Sequence, residues 1–133
     1  IIGSGPLENL IPVHKKIKHT SFVNPSKIQG LIQNAGTFIL PSLYEAWGVV
    51  IHEAVLAGMP IVSTHQTGAA TELVIHGFNG YIYDAFNEKE LSKYIKLISK
   101  QTPQEYFKMS KNSKLIASKI NLKQWSAMLN SIS

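Results

Sequence analysis

Cysteine and arginine are both absent from this sequence, and a single aspartate, Asp84, occurs in it. Without cysteine there is no disulfide framework and no thiolate nucleophile, which suits a reducing compartment and makes the cytoplasm the expected location. Without arginine, planar two-point capture of a phosphate is excluded, so any anion site must use lysine, backbone N–H groups or a helix end. No apolar run approaches the roughly 20 residues that span a bilayer. Aromatic residues are few where the basic ones cluster, which argues against a nucleic-acid surface built on stacking.

What remains is a chain of 133 residues, long enough to bury a core as one domain without staples, with an ordinary hydrophobic share of 44%. The net charge of +5 rests entirely on 13 lysines. Lys89, Lys93, Lys96 and Lys100, then Lys108, Lys111, Lys114, Lys119 and Lys123, recur at helical spacing among apolar positions such as Leu91, Ile95 and Ile98. Solvated helix faces are the favoured reading, with attraction to a nucleic acid or an anionic membrane as the alternative.

Ile1-Ile2 followed by Gly3-Ser4-Gly5-Pro6 reads as the end of a buried strand entering a Gly-rich turn, as if the chain began inside a fold. Leu7 to Lys18 carries a partly helical pattern that Pro12 interrupts. Thr20 to Val23 is a strand candidate, and Asn24-Pro25 opens a helix running to about Asn34. Thr37–Leu40, Pro60–Ser63 and Tyr81–Tyr83 are short apolar strands. Helices are expected at Val49–Ala57, Thr71–Ile75, Glu88–Gln101, Pro103–Ser118 and Leu122–Ile132. Short strands alternating with helices predict an α/β fold, a doubly wound parallel sheet in three layers, α/β/α.

In such sheets ligands bind outside the carboxyl ends of the strands. Three turns have that position: Gly3 to Gly5, Pro41 to Gly48, and Ser63 to Gly68. Gly48 stands at the start of a helix, so the amides of Val49, Val50 and Ile51 belong to the first turn, whose N–H groups lack intrahelical acceptors and favour an anion. Glu45 precedes that pole. The helix is apolar on nearly every side and is therefore expected to be buried, which makes Glu53 a carboxylate in need of donors. A ribose diol supplies two hydroxyl donors; alternatively Glu53 pairs with a lysine or a helix end and Glu45 caps its own helix. His52 reads as a core or loop-facing histidine, since no ligand spacing points to a metal. Gly3-x-Gly5 is weak evidence for a nucleotide turn, because Glu8 occupies the position of the third glycine of the dinucleotide fingerprint.

Taken together these residues resemble the C-terminal half domain of glycosyltransferase family 4, the glycosyl transferases group 1, whose two-domain architecture is called GT-B. The resemblance runs nearly end to end. Ile2-Gly3-Ser4-Gly5-Pro6 is similar to its strand and turn. Pro41-Ser42-x-x-Glu45-x-Trp47-Gly48 followed by Glu53-Ala54 is similar to its paired-glutamate motif, with seven residues between the acids. Gly58-x-Pro60-Ile61-Val62, Thr67-Gly68 with Glu72-Leu73-Val74, Gly77-Phe78-Asn79-Gly80 and Gln124-Trp125 follow in the family's order. So many matches in one order favour the functional reading of both glutamates.

The resemblance implies that Glu45, as the catalytic residue, and the amides of Gly48, Val49 and Val50 meet the donor sugar and its phosphates. It implies that Glu53 holds the ribose, that Gly3, Gly5, Phe22 and Val23 border the nucleotide, and that Gly68 approaches the sugar or diphosphate. The implied activity is transfer of a hexose from a nucleoside diphosphate with retention of configuration, without a metal or other cofactor. Residues 1–133 are then a single, N-terminally truncated nucleotide-sugar-binding domain. The acceptor domain is absent, as are a first strand and helix that carry an Arg and a Lys for the diphosphate. Peripheral membrane association of the full-length enzyme belongs to the same expectation, and nucleic acid does not. Ala69, where the family commonly has a second glycine, is expected to push its loop back and alter donor choice. A non-catalytic nucleotide-sugar-binding module and a GT-B epimerase or phosphorylase are the rival readings.

Overall fold

The computed structural model describes residues 1–119, which form two compact units, Ile1–Asn34 and Ala35 onward. The helix expected at Leu122–Ile132, with Gln124-Trp125, lies outside the described residues.

The first unit holds a short 3-10 turn at Glu8–Leu10 and helix α1 at Pro25–Gln33. A parallel bridge joins Ile2 to Thr20, with the Gly3 N–H donating to the Thr20 carbonyl and the Thr20 N–H to that of Ile1, both at 3.0 Å. The strand expected at Thr20–Val23 shrinks to that one bridge. Ile1 and Ile2, expected to be buried, are 63% and 55% exposed, because no element of this unit covers them. Pro12 does end the helical pattern early, as its missing N–H and fixed φ dictate.

The second unit alternates strand and helix: β1 (Phe38–Leu40), α2 (Val49–Leu56), β2 (Ile61–Thr64), α3 (Gly68–Leu73), β3 (Gly80–Tyr83), α4 (Glu88–Ser99) and α5 (Pro103–Lys119). The strands form a parallel sheet in the order β1-β2-β3, with Ile39 beside Val62 and Val62 beside Tyr81. The central strand β2 is buried throughout, on both faces, as its unbroken apolar run requires. On one face α4 lays Tyr94 and Ile98 against Val62 and Tyr83. Helix α2 meets β1 and β2 and packs against α3 and α5. The unit is thus a doubly wound α/β sandwich in three layers.

Local chemistry sets the boundaries. Gly58 ends α2 at φ +75°, a left-handed conformation that costs a residue with a Cβ about 1 kcal/mol or more. Asn87 caps α4 by accepting the Glu90 N–H at 3.2 Å. At the start of α5 the Glu105 carboxylate accepts the Thr102 N–H at 2.8 Å and hydroxyl at 2.9 Å, while the Thr102 hydroxyl accepts the Glu105 N–H at 3.3 Å. These reciprocal bonds are a capping box, and the Thr102 donors hold the Glu105 carboxyl below its usual range.

Candidate functional site

Two of the three turns singled out from the sequence meet at the carboxyl ends of β1 and β2. The turn after β1 leads into α2, the turn after β2 into α3, and a parallel bridge between Glu45 and Thr67 binds them side by side. Glu45 donates its N–H to the Gln66 carbonyl at 3.0 Å and accepts that of Gly68 at 3.1 Å. The Ala69 N–H continues the ladder to the Trp47 carbonyl at 2.7 Å. Hydroxyls brace its base, Ser63 donating to the Leu40 carbonyl at 2.9 Å and Thr64 to that of Ser42 at 2.6 Å.

Both glycines of this zipper are sterically required. A Cβ on Gly68 would lie 2.4 Å from the Ala46 carbonyl oxygen. Gly48 has φ +86°, and a Cβ there would stand 3.0 Å from Thr67 Cγ2 and 3.1 Å from Glu45 Cγ. Gly48 also offers no side-chain cap to α2. Of the three amides expected to be free, that of Ile51 is taken by the Gly48 carbonyl at 2.9 Å, because the first turn tightens. Among the described residues the Val49 and Val50 N–H groups find no acceptor, and the dipole end they represent remains available.

Helix α2 corrects one expectation. Only Ile51, Ala54 and Val55 are buried, whereas Val49 is 63% exposed, Leu56 62% exposed, and Glu53 is exposed with them. At 3.6 residues per turn Val49, Glu53 and Leu56 share the arc opposite the buried stripe. Glu53 is therefore an outward carboxylate rather than a buried one, and among the described residues no lysine pairs with it. Glu45 is half-buried, and its place in the bridge is set by its backbone rather than by capping α2.

The other predicted residues lie elsewhere. Gly3 and Gly5 belong to the first unit, where Gly3 adopts φ +128° and its carbonyl meets His19 Nε2 at 2.7 Å. Phe22 is 77% exposed in the same unit and Val23 is half-buried. The structure thus brings Glu45, Gly48, Val49, Val50, Gly68 and Glu53 to the loops and helix of the second unit, and leaves Gly3, Gly5, Phe22 and Val23 on the first. Ala69 is fully buried, so its methyl is part of the packing under the loop.

The sequence reading missed the bridge itself, whose only local signal is the pair of hydroxyl-rich strand ends, and it missed the Trp47–His52 contact. Those rings lie 5.5 Å apart at the first turn of α2, with His52 Nε2 buried and unbonded among the described residues. Asp84, the one aspartate, follows β3 and approaches His65, which follows β2, at 4.0 Å. Among the described residues no three His, Asp or Glu side chains gather as a metal site would need.

Residues 8–116 match the family described as glycosyl transferases group 1. An uncharacterized glycosyltransferase of Haemophilus influenzae is 30% identical over 122 residues, covering 88% of this chain and 34% of its own length. The structure of HepE from Anabaena in complex with UDP-glucose is 28% identical, with a TM-score of 0.74 over 88% of this chain and 33% of that one. Sucrose-phosphate synthase from Thermosynechococcus elongatus, at 19% identity, superimposes with a TM-score of 0.79 over 99% of this chain and 38% of that one, a likeness of fold. The chain spans about a third of the length of these relatives.

Proposed function

The chain belongs to the glycosyl transferases group 1 family, and from that premise we propose that it is the donor-binding part of a retaining glycosyltransferase. Its ligand is a nucleoside-diphosphate sugar, whose hexose passes to an acceptor held by an N-terminal domain. The observation that carries this reading is the zipper of Glu45 and Thr67, which aligns two loops at the strand carboxyl ends and delivers the chain into the uncapped N-terminus of α2. Glycine is required at both crossing points because a Cβ would collide with the partner loop, and the two loops close on each other beside the Val49 and Val50 amides, which favour an anion.

In this reading the Val49 and Val50 amides receive the diphosphate as it departs with the electron pair of the broken glycosidic bond. Glu45 stabilises the positive charge that develops on the sugar. Glu53, outward and unpaired by lysine, accepts from the two ribose hydroxyls, and Gly68 lets the diphosphate approach the second loop. Because HepE is seen with UDP-glucose, a uridine diphosphate sugar is the first donor to try. No metal is assigned to the site, and the enzyme is read as cytoplasmic, with peripheral membrane association.

Calorimetry of the intact protein with a panel of nucleotide sugars, followed by NMR of the product's anomeric proton, tests the reading. Binding of one donor and a product with the donor's anomeric configuration are expected. An inverted product would remove the retaining assignment, and tight binding without transfer to any acceptor would return the chain to the class of binding modules.

A further inference from the structure

Helix α4 presents four lysines as a single stripe. At 100° per residue Lys89, Lys93 and Lys96, with Lys100 at the C-cap, fall within about 60° of arc, on the side away from the buried Tyr94 and Ile98. The stripe is about 16 Å long, from an 11-residue separation at 1.5 Å per residue. Among the described residues none of the four pairs with a carboxylate. The helix's own acids, Glu88 and Glu90, are confined to its first turn, where they complement the helix dipole. A shallow groove of about 620 Å³ runs along the lysines, with Glu88, Ser92 and the 43% exposed Leu97 also lining it.

From this geometry we infer that the outer face of α4 docks on the anionic headgroups of a lipid surface. The buried face of α4 is committed to the sheet through Tyr94 and Ile98, so the helix does not sink into the acyl layer as an interfacial amphipathic helix does. It lies on the surface, held by charge. Lys93 Nζ lies 5.1 Å from the Tyr94 ring centroid, its stem on apolar ground, and a row of four lysines matches a plane of phosphates better than a single bound anion. A nucleic acid is the poorer fit, because the stripe has no arginine for bidentate contacts and no exposed aromatic for stacking. Among the described residues no helix is long and apolar enough to cross a membrane. The inference gives the peripheral association read above a specific surface, and it is independent of the donor site.

Cosedimentation of the intact protein with vesicles tests it, comparing phosphatidylcholine alone with phosphatidylcholine containing 30% phosphatidylglycerol. Binding to the anionic vesicles only, released by about 0.5 M salt, is expected from Debye screening. Each lysine near such a surface is worth about fivefold in affinity, so Lys89→Gln, Lys93→Gln, Lys96→Gln and Lys100→Gln combined should weaken binding by a hundredfold or more. Lys27→Gln, Lys108→Gln, Lys111→Gln and Lys119→Gln combined remove the same charge from other exposed sites and should cost far less. An equal loss in both variants would overturn the inference in favour of net charge alone, as would stronger retention by single-stranded RNA than by vesicles. Donor affinity, measured alongside, should be unchanged in the α4 variant, which separates failure of this inference from failure of the donor-site reading.

Discussion

Gly68 stands against Ala46 so closely that a Cβ on it would lie 2.4 Å from the Ala46 carbonyl oxygen. The contact follows from the bridge beside it, since pairing Glu45 with Thr67 draws one loop's backbone over the other's. Gly68→Ala should force the loops apart and lower stability by about 1–3 kcal/mol, the usual cost of overpacking, together with donor affinity. Urea denaturation and calorimetry check the two effects. A variant as stable and as tight-binding as the parent would show that the loops do not approach so closely in solution.

Glu53 lies on the exposed arc of α2, so removing its charge should leave folding intact. If it holds the ribose diol, Glu53→Gln weakens donor binding by about ten- to a hundredfold, the worth of one charge-assisted hydrogen bond. Calorimetry with the donor decides this, and unchanged affinity would reduce Glu53 to an ordinary surface residue.

Asn79 should behave in the opposite way. It is fully buried, its Oδ1 accepting the Ile75 N–H at 2.7 Å and its Nδ2 donating to the Leu73 carbonyl at 2.9 Å. Asn79→Ala strands both backbone groups and should cost about 2 kcal/mol of stability with little change in donor affinity. A loss of affinity without a loss of stability would move Asn79 from the scaffold into the site.

The resemblance to a family that neutralises its leaving diphosphate with protein groups leads to a further expectation, that turnover persists in excess chelator. Activity abolished by chelator and restored by a divalent cation would refute it.

The element order was legible because the signals that set it are local. Pro25 opens α1, Gly58 and Pro60 separate α2 from β2, and the β-rich runs at Phe38, Ile61 and Tyr81 became strands. Where boundaries moved, a tertiary bond moved them. Helix α3 was expected at Thr71–Ile75 but spans Gly68–Leu73, because the Glu45 and Trp47 carbonyls accept the Gly68 and Ala69 N–H groups and so satisfy two amides of its first turn. It stops because Val74 turns extended and the Ile75 amide is claimed by Asn79.

The sequence by itself determined that this is a parallel α/β chain with two glycine-bearing loops at its strand ends, since proline, glycine and apolar runs act through their own backbone. It also fixed the order of Glu45, Gly48 and Glu53. Which side of α2 is buried was decided by tertiary structure alone. A helix apolar almost all round carries no periodic signal, so neighbouring α3 and α5 select Ile51, Ala54 and Val55 and turn Glu53 outward. The bridge between Glu45 and Thr67 likewise exists only after β1 and β2 pair in register, because its two backbones are distant in sequence until the sheet aligns them.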